Sequence, residues 1–168
     1  MTGQAIGFLV IDRLDLPPAE VLQPTGLVLI MGAGAALLVQ WGLIPLFNLT
    51  PRVMMLVGLA IAAAGCALTG LATSLYGLAT AYALASIGFG FTRPAFTAGS
   101  SLAAGSAAQG SVAGKVTSVN GASFVLGPSI GVGLYEFWHS LPYLTAGAAC
   151  LALLVYCWMS LKPPARIA

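Results

Sequence analysis

Charge is scarce in this sequence. Of 168 residues, four are acidic and six basic, 6% in all, with a single histidine. A soluble domain carries about 25% charged residues, so this chain could not solvate the surface of a globule. Charge this sparse offers no basic stripe for a nucleic acid, and none is expected as a partner. Cysteine is also sparse: Cys66, Cys150 and Cys157 lie inside apolar segments, with no CxxC and no histidine at ligand spacing. That pattern excludes a metal site and leaves inert thiols. Catalytic constellations are missing as well. Gly121-Ala122-Ser123-Phe124-Val125 fails G-x-S-x-G at its last position, no HExxH occurs, and no two carboxylates share an apolar segment. The chain reads as a non-enzyme without a cofactor. His139, beside Trp138, suits the headgroup level of a membrane.

Hydrophobic residues make up 59% of the chain, and mean hydropathy is +0.98. A membrane-spanning helix needs about 20 apolar residues. Five runs reach that length, at about 24–47, 52–73, 76–98, 113–137 and 141–161. A sixth, residues 1–11, covers only about half of a 30 Å hydrocarbon core at 1.5 Å per residue. It lacks the basic start and the A-x-A site of a signal peptide, and reads as the second half of a helix. The expected fold class is all-α transmembrane: five full spans plus a truncated first span.

The connections punctuate these runs. DRLDLPPAEVLQP holds prolines and most of the acidic charge, NLTPR is a tight turn, AAGSAAQGSVAG is a small polar loop, and EFWHSLP ends on Pro142, suited to a first helical turn. The sequon Asn48-Leu49-Thr50 precedes Pro51 and reads as chance. Loops alternate sides, so Asp12, Arg13, Asp15, Glu20, Glu136 and His139 fall on one side, and Arg52, Lys115, Lys162 and Arg166 on the other, with Arg93 near it. The positive-inside rule makes the second side cytoplasmic, including the C-terminus.

Glycine and proline inside the runs are the remaining signal. The stretch NGASFVLGPSIGVGLYEF, residues 120–137, holds four glycines and Pro128. In water each glycine costs a helix about 1 kcal/mol and proline about 3. In lipid, small residues let backbones approach, and Gly127 and Gly131 have G-x-x-x-G spacing. Gly88, Gly90 and Pro94 repeat the character in GFGFTRPAF. Both helices read as thin, bendable elements.

These segments together resemble the C-terminal half, helices seven to twelve, of a major facilitator superfamily transporter. IGFLVIDRL with PPAE resembles the end of the seventh helix and its loop. Gly42-Leu43-Ile44-Pro45 to Pro51-Arg52 sits where the family carries a weakened G-x-L-a-D-r-x-G-r-r signature, here without its acidic residue. GFGFTRPAF resembles the tenth helix. Gln109-Gly110, Gly114 and LGPSIGVGLY resemble the loop and eleventh helix of drug and metabolite exporters. The resemblance implies one six-helix half of a two-half fold, in the cytoplasmic membrane, exporting small amphipathic molecules by alternating access. Its implied partners are lipid, an N-terminal half and a small-molecule substrate. It proposes Gln4, Gln40, Tyr82, Phe89, Asn120 and Ser123 as cavity-lining residues. Arg93 would snorkel to the cytoplasmic interface, make a gate contact with the other half, or attract an anionic substrate. The alternative is a non-transporting or homodimeric, channel-like six-helix membrane protein.

Overall fold

Thr50 and Pro51 show how the turns are made. Thr50 is extended, its Oγ1 accepts from the Val53 N–H at 3.5 Å, and Pro51 takes the first helical turn, where no N–H partner is needed. Pro142 does the same for the last helix. The chain between such stops is helical. The computed structural model describes residues 2–15, 17, 20–47, 49–103 and 109–161, with no strand among them. Six helices follow in order: α1 (Thr2–Leu14), α2 (Leu22–Phe47), α3 (Pro51–Leu71), α4 (Leu75–Ala103), α5 (Gln109–Phe137) and α6 (Leu141–Ser160).

Several boundaries differ from expectation, each for a physical reason. α1 runs past Ile11 through Asp12 and Arg13, because both side chains find partners, and ends at Asp15 in the left-handed region (φ 49°). Aspartate tolerates that conformation. α4 continues through Pro94, as membrane helices can when neighbours support the freed backbone. Residues 109–112, expected as loop, already belong to α5. The rest of that loop, 104–108, and the basic tail with Lys162 and Arg166 lie outside the described residues, as does Asn48.

Among the described residues, four helices are long and apolar enough to cross a membrane: α2, α3, α4 and α6. α5 has the length, at 29 residues, but Gln109, Ser111, Lys115, Thr117, Ser118 and Asn120 dilute its first half. α1, at 13 residues, is too short. The chain has the build of a multi-pass helical membrane protein.

α4 is the central helix. It packs along α3 on one side and α2 on another, and α6 packs on α3. α2 changes pitch on the way: Leu38–Leu43 is a π-helical stretch, with the Ile44 N–H bonded to the Val39 carbonyl. Pro45, just beyond, has no N–H for the carbonyl of Trp41 and would clash with it in a regular helix, so the wider turn relieves both problems. Three apolar clusters hold the bundle. One joins Ile6, Leu9 and Val10 of α1 to Val28, Leu78 and Tyr143. A second joins Val39, Met54, Phe91 and Ala95, and the third joins Leu59, Ala62 and Ala63 of α3 to Cys150 of α6. The ends of α1, α3 and α5 meet the start of α6. This end carries Asp12, Glu136 and His139 and is termed the acidic end. Arg52 and Lys115 lie toward the other, basic end.

Candidate functional site

The expected cavity residues have separate surroundings. The side chain of Gln4 lies outside the described residues. Gln40 faces outward from the π-helical stretch of α2. Tyr82 is half-buried and works as a packing element. A methyl group added at Gly32 of α2 would stand 2.5 Å from its ring, and one added at Gly3 of α1 would stand 3.1 Å from its hydroxyl. Phe89 packs against the α3–α6 cluster. Asn120 and Ser123 face outward on α5, and the Ser123 hydroxyl donates to the Val119 carbonyl at 2.8 Å. Arg93 is exposed on α4.

The small residues divide just as unevenly. Gly88 of α4 packs against α3: a methyl there would stand 2.3 Å from the Ala62 nitrogen and 2.6 Å from the Gly58 carbonyl oxygen. Gly90, two residues on, faces α2, where a methyl would meet Val39 Cβ at 3.2 Å. Pro94 removes the N–H that would bond the Gly90 carbonyl. On α5, Gly127 and Pro128 are half-buried and Gly131 is buried, whereas methyl groups at Gly121 and Gly133 would meet nothing within 4 Å. A tight small-residue crossing therefore lies between α3 and α4, where Gly88 is one of the residues the glycine pattern singles out, and not along the stretch 120–137.

α5 is packed over one part of its length only. Gly131 and Tyr135 are buried near its acidic end, while every residue from 117 to 126 faces outward. A recess of about 150 Å³ between α4 and α5 is lined by Thr97, Ser100, Gln109, Val112 and Val116 among others. It is smaller than the roughly 300 Å³ at which ligand pockets begin, and none of the expected cavity residues lines it.

Among the described residues, the densest polar constellation lies at the acidic end, and its Asp12, Arg13 and His139 are residues read from sequence as loop charges. Asp12 and Arg13 are neighbours on the last turn of α1, yet their side chains diverge. Arg13 Nη2 donates to the Gly70 carbonyl at the end of α3, at 3.1 Å, and to Ser140 Oγ at 2.8 Å. Ser140 is 2% exposed, and its hydroxyl in turn donates to the Gly70 carbonyl at 2.6 Å. One hydroxyl thus serves as acceptor and donor at once. Asp12 turns to α5. Its Oδ2 accepts a hydrogen bond from the Tyr135 hydroxyl and lies 3.8 Å from His139 Nε2. The imidazole stacks on the Tyr135 ring, centroids 4.9 Å apart and planes 17° from parallel, and Phe8 lies against the same tyrosine at 6.1 Å. The sequence signal for this site was the polar pair Asp12-Arg13 at the end of an apolar run, and a second polar-aromatic run, YEFWHS.

The constellation joins four helix ends through hydrogen bonds and the His139–Asp12 contact, which is an ion pair when the imidazole is protonated. Among the described residues, no three His, Cys, Asp or Glu side chains converge to hold a metal ion. Compared with known proteins, the chain matches no family model, no curated protein and no solved structure.

Proposed function

We propose that this chain is one six-helix half of a secondary transporter of major facilitator type, exporting small amphipathic molecules by alternating access. In this reading α5 is a fifth span. At 1.5 Å per residue its 29 residues reach about 44 Å, enough for a 30 Å core. α1 is the first helix of the six. The basic end faces the cytoplasm, by the sorting of Arg52, Lys115 and the tail against Asp12 and Glu136.

The observation that carries the proposal is the outward-facing run 117–126 of α5, with Asn120 and Ser123 in it. Polar side chains within a span face protein or a water-filled cavity, not lipid. A helix fixed at one end, with polar groups turned outward along the rest, suits a cavity wall shared with a second half. Gly127, Pro128 and Gly131 lie at the junction of the packed and unpacked parts, where a bend is needed. The site holds no carboxylate deep in a span, so proton coupling, if used, belongs mostly to the other half.

Reconstitution in liposomes under an imposed pH gradient tests the function. The 168-residue chain alone should move no amphipathic dye, and co-expression with a matching six-helix first half should restore transport. Gradient-driven transport by the chain alone overturns the half-transporter reading in favour of a homodimer. Orientation is tested by Lys115→Cys and Phe137→Cys in a background lacking the native cysteines. An impermeant thiol reagent applied to intact cells should label Phe137→Cys and spare Lys115→Cys, and the reverse pattern overturns the orientation.

A further inference from the structure

We propose that Asp12, Tyr135 and His139 form a proton-sensitive latch that holds the acidic end of α5 against α1. It stands on geometry alone and does not depend on the transport reading. The Tyr135 hydroxyl and the His139 imidazole approach the same atom, Asp12 Oδ2, from the end of α5 and from the turn after it. The imidazole is also held flat against the Tyr135 ring. Two attachments of different kinds therefore meet on one carboxylate oxygen. The tyrosine bond holds whether or not the imidazole is charged. The histidine contact is an ion pair only when the imidazole carries a proton.

The sign follows from the charges. Histidine is the side chain whose charge changes nearest neutral pH. As pH falls, His139 gains a proton, is attracted to the Asp12 carboxylate and tightens the latch. As pH rises, the attraction is lost and the tyrosine bond alone remains. The groups that meet the imidazole are Asp12 of α1 and Tyr135 of α5; Arg13 and Glu136 are their neighbours in sequence, and Tyr143 of α6 shares the apolar cluster of Tyr135. Arg13 is committed to Gly70 and Ser140, and Glu136 faces outward, so Asp12 is the charge the imidazole meets most closely.

The latch has leverage because little else holds α5. Its buried positions, Gly131 and Tyr135, are one turn apart at the acidic end, and residues 117–126 all face outward. Loosening Tyr135 from Asp12 removes the main polar attachment of the whole helix. By contrast, the Arg13–Ser140–Gly70 bonds join α1 to α3 and to the turn after α5, and keep the neighbouring ends in place.

The test is a pair of spin labels on the full chain in lipid nanodiscs, at Ile11→Cys on α1 and Phe137→Cys on α5, with Cys66, Cys150 and Cys157 replaced by alanine. A reference pair, Ala60→Cys and Thr80→Cys, reports the α3–α4 crossing. Pulsed distance measurements should show a longer-distance component that grows about threefold between about pH 6 and pH 8, the size of shift that a half-exposed ion pair supports. His139→Gln, a change at an exposed position, should abolish that response. Tyr135→Phe should enlarge the longer component at both pH values. The reference distance should stay constant throughout. A distance indifferent to pH, a pH response that survives His139→Gln, a Tyr135→Phe variant indistinguishable from its parent, or an equal shift at the reference pair each overturns the latch.

Discussion

Gly88 on α4 rides on the backbone of Ala62 on α3, so closely that a methyl group at Gly88 would stand 2.3 Å from the Ala62 nitrogen and 2.6 Å from its Cα. Gly65, further along α3, has the reciprocal relation to α4: a methyl there would stand 2.2 Å from the Ala85 nitrogen. The obstructing atoms are main chain, which cannot rotate away. In lipid, where no hydrophobic force gathers the helices, such backbone approaches supply much of the packing energy.

Substitution of either glycine by valine should therefore destabilise the bundle by about 1–3 kcal/mol or more, the usual cost of overpacking. Gly121→Ala and Gly133→Ala, whose added methyl groups meet open space, should be neutral. Thermal unfolding of the detergent-solubilised protein measures both. Equal melting temperatures for Gly88→Val and Gly121→Ala would show that the crossing is not as tight as drawn.

Gly32 and Tyr82 should be energetically coupled. The ring of Tyr82 occupies the space a Gly32 side chain would need: a methyl group there would stand 2.5 Å from the ring and 2.8 Å from Ser86 Oγ. Gly32→Val should destabilise, and Tyr82→Ala in the same chain should recover part of the loss. A double-mutant cycle should give a coupling of about 0.5–3 kcal/mol. A coupling of zero would mean that α2 and α4 meet elsewhere.

Ser140→Ala should cost about 1–3 kcal/mol, because it leaves the buried Gly70 carbonyl and Arg13 each short of a partner. Ser140→Thr, which keeps the hydroxyl, should recover part of that. Chemical denaturation of the two variants side by side distinguishes a lost hydrogen bond from general intolerance at a 2% exposed position.

Gly127→Leu bears on the proposed function. It places a large side chain at the half-buried junction where α5 leaves the bundle. Paired with a first half, the variant should insert into the membrane normally but lose most transport. Wild-type transport by this variant removes the assigned role of Gly127 as part of a bend.

What the sequence determined by itself is local. Runs of about 20 apolar residues must satisfy their backbone within the segment, so they are helices wherever they sit. Thr50-Pro51 and Pro142 start helices because their chemistry serves the orphaned first turn. The sorting of acidic from basic residues follows from counting loops, and the acidic residues Asp12 and Glu136 do share an end. Tertiary structure decided which helix meets which. A glycine offers a close approach without naming the helix that makes it, so the α3–α4 crossing at Gly58, Gly65 and Gly88 was no more legible than Gly121, which meets nothing. The polarity of the first half of α5 reads equally as a span with a wet face or as no span, since either depends on what lies beside it. Asp12 and Tyr135 are 123 residues apart. Each looks like an ordinary interfacial residue alone. Only the packing of α1 against α5 turns them into one hydrogen bond, because short-range polar bonds form only where the fold brings donor and acceptor together.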